Sequence, residues 1–358
     1  NIVQAYVEDG SNNNNTFNQD NWVGGNYWSD YTGSDRGDGI GNIPYTFYNG
    51  ADSLPYVNII ENLFSGTNLQ NAINNADLGQ TLIVHDLGTA QTFMESLNIN
   101  NWVRLKADGQ VTIQSASTGN NAITVNSSGN NSLIQGFIIN GATGASGIFL
   151  SADECSILNN ILSGNNIGIL LLGNSNNITG NNASSNGWAG ICLSGVSQNT
   201  VNYNTVSGNP EGIYILNCEN NTFEGNFADS NIVNGINIVG GSQNTLINNM
   251  VLNNGVSTNG NGIILKDTTL NTLDYNLVAG NGWSGIVVDN SSQNNIMDAG
   301  NGGNTITGNG NGLVLFNGCD NNIIAGNTFI TNLYNGLELF VNCEYNQIYN
   351  NNIMTEAA

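Results

Sequence analysis

Four aspartates near the start, Asp30, Asp35, Asp38 and Asp52, lie in or just after a glycine-rich stretch and carry the hard carboxylate oxygens that calcium takes together with backbone carbonyls. The same stretch also reads as a Gly/Asp turn beneath an aromatic cluster of Trp22, Tyr27, Trp28, Tyr31 and Tyr45, so calcium is a candidate ligand and no cofactor is required. Arg104 and Lys106, in WVRLKADG, alternate onto one face of a strand. A polysaccharide lyase needs such cations to neutralise a uronate, and a glycosidase needs a positioned pair of carboxylates. Neither an Asp-Asp doublet nor a second histidine accompanies the basic pair, because His85 is the only histidine, and the pair reads as a solvated strand face. Trp188 and Trp283 each follow Asn-Gly in an NGW loop and are the candidates for stacking on sugar rings, with loop packing as the competing reading.

Composition narrows the field further. The 358 residues include 46 Gly but only 3 Pro, and charged residues make up 8%, against about 25% in an ordinary soluble domain. Four basic against 26 acidic residues give a formal charge of −22, which opposes nucleic acid, anionic membrane surfaces and polyuronates. No apolar run is long enough for membrane insertion, and a soluble extracellular protein, mature or processed, is the expectation. Five cysteines without a CxxC, one histidine and four methionines supply neither a zinc nor a copper site.

The elements that must position these residues come from a repeat. A phrase N-x-I/V/L, a variable stretch and then G-I-x-L begins at Asn131, Cys155, Asn177, Asn199, Asn221, Asn244, Asn271, Asn294, Asn322 and Asn346, with starts 22 to 28 residues apart. Units this short bury no face alone and must stack on their neighbours. The period-two alternation of GIYIL and GIVVD, with abundant Asn and Gly, excludes helical repeats. The architecture that remains is all-β, a right-handed parallel β-helix with coils about 4.8 Å apart. Asn at one corner of successive coils would form amide ladders. Residues 63–80 read as a helical cap, centred on 69–76, over a β-helix spanning 81–358; residues 21–62 form a non-repeat segment and residues 1–20 half a coil.

That non-repeat segment carries NYWSDY from Asn26 to Tyr31, then Asp35, Asp38, Gly39, Ile40, Gly41, Pro44 and Tyr45. With the coil phrases, it resembles the NosD-type parallel β-helix repeat surface proteins of methanogenic archaea. The sequence departs from their pattern at Arg36, inside the aspartate-rich loop, and at Asn42, where the family commonly has Asp; both changes leave fewer carboxylates for calcium. The resemblance implies an extracellular structural protein of a fibre, sheath or S-layer, without catalytic residues. The alternative is a carbohydrate-binding or carbohydrate-active β-helix of lyase or epimerase type.

Alternation within G-I-x-L places Phe149, Leu170, Cys192, Tyr214, Ile264, Val287 and Val314 in an outward apolar row, with Phe316 two positions on, a candidate lateral interface between copies. Ile2, Asn15 and Phe17 would complete, in a second copy, the coil begun by Asn346, Ile348 and Ile353, making a head-to-tail homopolymer the expected partner arrangement. Cys319 and Cys343 occupy the same place in successive coils, within disulfide reach, with a ladder of reduced thiols as the competing reading. Seven N-x-S/T sequons add glycans as candidate modifications.

Overall fold

The computed structural model describes residues 44–47, 50–52, 60–300 and 302–354. Short strands separated by Gly and Asn corners pair in parallel with their equivalents one coil away, forming three sheets of 13, 12 and 11 strands. The first sheet runs from Ile60–Leu63 to Gln347–Tyr349, the second from Gln91–Met94 to Asn352–Met354 and the third from Leu97–Ile99 to Leu337–Leu339. The chain is therefore an all-β parallel β-helix, as the repeat requires. The one α-helix among the described residues, Leu69–Asn75, is capped by Asn68, whose side chain accepts from Asn71 N–H at 2.7 Å, and it adds Leu69 and Ile73 to the core. Tyr45–Phe47 and Gly50–Asp52 form a small antiparallel ribbon.

Inside the coils, alternate strand residues such as Ile213, Ile215, Ile286, Val288, Leu313 and Leu315 are fully buried and build one continuous core. The corners are held by three columns of buried asparagines. Asn226 is typical. Its Oδ1 accepts from Asn204 N–H (3.0 Å) and Asn204 Nδ2 (3.1 Å), while its own Nδ2 donates to Val201 O (2.7 Å) and to Asn249 Oδ1 (3.0 Å). All four hydrogen-bonding positions of the amide are filled. In the repeat that opens at Asn177, the column passes through Asn176, whose N–H donates to Asn199 Oδ1 at 2.8 Å; Asn177 aligns instead with Thr200, one residue further on.

Glycine at the start of the third-sheet strands answers to the same columns. A Cβ on Gly212 would lie 2.4 Å from Gly235 O and 2.7 Å from Asn231 Nδ2, so any side chain there would break the corner. Longer coils place their extra residues between columns, as in the loop at 298–303, where Asp298 Oδ1 accepts from Gly300 and Gly302 N–H.

Replacing Asn226 with Ala strands two donors on Asn204 and takes a donor from the Val201 carbonyl in a buried corner, while Asn249 Oδ1 keeps only the residue 226 N–H at 3.0 Å. The expected cost is about 3 kcal/mol or more, measured by urea unfolding. Asn351→Ala, in the half-exposed last coil, is expected to cost much less. Equal losses would mean that the column does not carry the coil stack.

Candidate functional site

The outer surface of the third sheet gathers the aromatic and polar groups that can meet a ligand. Strand register aligns Phe149, Leu170, Cys192, Tyr214, Asn237, Ile264, Val287, Val314 and Glu338 in one row across nine coils. Stacking at the strand spacing makes the row bury itself: Cys192, Val287 and Val314 are buried, and Phe149, Leu170, Tyr214, Ile264 and Phe316 are half-buried. Asn237 interrupts its apolar character, so it is not a continuous open stripe. Ile167, Ala189 and Cys192 form a small cluster with Leu170 and Tyr214 that is separate from the main core.

Beside this cluster stands Glu211, which the sequence reading did not single out. Its backbone N–H donates to Trp188 O at 2.8 Å, and in register it lies between Ala189 and Asn234. Asn234 Nδ2 donates to both carboxylate oxygens, at 3.0 and 3.2 Å. Burial pushes the Glu211 carboxyl up to about 7, against the pull of the Asn234 and Asn237 amides. Asn237 Oδ1 is buried and has no hydrogen-bond partner among the described residues. Trp188, 37% exposed, meets Tyr214 with ring centroids 5.3 Å apart and a 52° tilt. A half-buried carboxyl that titrates near neutrality, two aromatic faces and an unfilled amide acceptor thus share one patch. The signal available in the sequence was the column itself, since Glu211 is the one carboxylate in a position otherwise filled by Ser146, Ile167, Ala189, Asn234, Ser284 and Asn311.

The basic pair lies elsewhere, on the first sheet, and it is not a solvated strand face. Arg104 is 7% exposed, packed in register between Thr81 and Leu133, which are themselves buried. Lys106 is half-buried, and burial together with the neighbouring Arg104 brings it down to about 8. His85 is held between Asp108 Oδ2 and Asn62 Oδ1, both at 2.7 Å, and stacks on Phe64. Trp283 opens onto an apolar groove of about 320 Å³ with Val314, Phe316 and Phe340 at the far end of the third sheet.

Of the calcium candidates, Asp30, Asp35 and Asp38 lie outside the described residues, and Asp52 is fully buried on the small ribbon. Ile2, Asn15 and Phe17 also lie outside them. Asn346 closes an asparagine column, accepting from Asn322 N–H and Nδ2, while Ile348 and Ile353 are 41% and 52% exposed on the last coil. Cys319 and Cys343 are neighbours in adjacent coils, both thiols, with Cys319 N–H donating to Cys343 Sγ at 3.4 Å. Cys192 is buried and its thiol is pushed up to about 12 by burial.

Similar solved structures share this architecture. The A-module of Mannuronan C-5 epimerase AlgE6 from Azotobacter vinelandii aligns with TM-score 0.58 at 14% identity, over 81% of this chain and 94% of that one. The PL6 family polysaccharide lyase Pedsa3628 from Pseudopedobacter saltans aligns with TM-score 0.51 at 16% identity, over 82% and 92%. ORF18 of Geobacillus virus E2 aligns with TM-score 0.53 at 16% identity over 79% of this chain, which spans 56% of that protein's length. No curated protein matches the sequence. Identities this low carry the fold alone. The expectation of a chain without catalysis is nevertheless corrected: two of these three β-helices are enzymes, an epimerase and a lyase, so the architecture gives no ground for excluding one here. The sequence itself matches the right-handed beta helix region family over residues 98–251 and 168–329, and the chain belongs to that family.

Proposed function

We propose that this protein is a carbohydrate-active β-helix protein that holds a glycan on the outer face of its third sheet, with Glu211 as its proton-transfer group. The observation that carries the reading is the half-buried Glu211, brought to about 7 by burial, beside the Trp188–Tyr214 pair. Aromatic faces stack on the apolar faces of sugar rings. A carboxyl that titrates near neutrality can give or take a proton at working pH, as acid–base chemistry at a glycosidic linkage requires. Likeness of fold to an epimerase and a polysaccharide lyase supports the same reading. Glu211 is favoured over the basic pair because the Arg104 side chain is too buried for a polymer to reach.

Two outcomes are expected. In a polysaccharide panel followed by new reducing ends and by absorbance of unsaturated products, Glu211→Gln lowers turnover by about a hundredfold or more and keeps substrate binding; equal turnover in the variant removes Glu211 from the chemistry. Stability carries the sign of the same group. Folded Glu211 keeps its proton up to about pH 7, while an unfolded carboxyl releases it near 4.5, so its contribution is fully present below about 4.5 and is lost as pH rises through 7. Calorimetry at pH 5 and pH 8 should therefore show a larger fall in Tm for the wild type than for Glu211→Gln, and parallel curves would contradict the shift.

A further inference from the structure

We infer that the glycan taken by this site is an uncharged, extended β-1,4-linked polymer laid along the coil axis and held at two aromatic stations, Trp188 and Trp283. The inference rests on the Glu211 reading and extends it to the substrate class. Both tryptophans occupy the same place in their coils, directly after Asn-Gly and before a third-sheet strand. Each uses its carbonyl in the same way: Trp188 O accepts from Glu211 N–H and Trp283 O from Asn311 N–H, both at 2.8 Å. Between the strands that follow them, Ala189–Ser194 and Ser284–Asp289, the third sheet makes four steps. At about 4.8 Å per step the stations are about 19 Å apart along the axis.

The ground between them is suited to a sugar ribbon. Trp188 is 37% and Trp283 48% exposed, and between them Val233 is 37% exposed on the same corner. Beyond Trp283 the apolar groove bounded by Val314, Phe316 and Phe340 continues the surface. A flat, equatorially linked glycan presents apolar ring faces to such side chains and keeps its hydroxyl groups at its edges, in water. It advances by roughly one ring per coil spacing, so about four to five rings join the stations.

Charge selects against a uronate. Among the described residues of this face the one cation, Lys266, is already paired with Asp289 at 3.6 Å, and Glu211 and Glu338, in register along it, are carboxyls. Arg104 and Lys106 are on the first sheet and offer this face nothing. A polymer with one carboxylate per ring would find no free cation along this path to neutralise it, on a chain whose formal charge is −22.

The test is titration of the full-length protein, followed by tryptophan fluorescence and calorimetry, with β-1,4-linked gluco- and manno-oligosaccharides of graded length and with oligomannuronate as the charged control. Two linked stations predict affinity that rises about tenfold or more once the ligand is long enough to reach both. Trp283→Ala should bring the long ligands back to the affinity of the short ones. Trp188→Ala should weaken every length, and circular dichroism of both variants checks that they fold. Oligomannuronate is expected to bind at least about tenfold more weakly than a neutral chain of the same length. Short neutral ligands that bind with no gain from length, or a charged chain that binds as well, would overturn the two-station inference and leave the Glu211 site standing. If no oligosaccharide of any kind binds, the site reading falls with it.

Discussion

The buried carboxamide of asparagine, with both donors and both acceptor positions occupied, is the interaction on which the rest of this molecule depends. A coil of 22 to 28 residues has no interior of its own, and it becomes stable only when its corners are tied to the coils on either side. Asn204, Asn226 and Asn249 show how this is done, each amide bridging to the next amide and to a main-chain carbonyl of the coil before. In a low-dielectric corner each such bond is strong, and each missing one would be costly. The demand for a bare backbone at Gly212 follows from the same packing, since a side chain there would displace the Asn231 amide.

Fixing the corners sets the register of every strand, and register turns isolated side chains into surfaces. Tyr214 meets Trp188 because their coils are tied through Glu211 N–H to Trp188 O, and Asn234 reaches the Glu211 carboxylate because it sits one strand along the sheet. The site therefore spans three consecutive coils. Burying a carboxylate beside the Ile167–Ala189–Cys192 cluster is unfavourable, and two bonds from a neutral amide offset only part of that cost, which is why its protonated form persists toward neutrality.

Much of this architecture was legible in the sequence, because a repeat announces both its period and its alternation. The inward and outward positions of GIYIL follow from parity alone, and the aligned row from Phe149 to Glu338 follows from parity plus the repeat phase. Phase was ambiguous where two asparagines adjoin, as at Asn176 and Asn177, and only the stacked structure decides which amide enters the column. Glu211 escaped notice because nothing near it in sequence carries charge or nucleophilic character. Its chemistry comes from Trp188, Asn234 and Asn237, which lie a coil away on either side. Arg104 misled in the opposite sense: its alternation with Lys106 suggested a wetted face, whereas Thr81 and Leu133 on adjacent coils bury it.

Shared architecture and divergent electrostatics belong together here. A parallel β-helix offers any long polymer a straight surface with regularly spaced side chains, and that geometry is common to an epimerase, a lyase and this chain. What the surface accepts is decided residue by residue. In this chain the buried arginine is confined to an early strand of the first sheet, while the third sheet carries Glu211, Asp289 and Glu338 on its outer face. A glycan of the class inferred above would bring apolar ring faces for Trp188 and Trp283, and a charge of its own would find Lys266 already paired with Asp289. The inferred selectivity follows from where the coil's side chains place their charges and aromatic rings, while the coil itself supplies only their spacing.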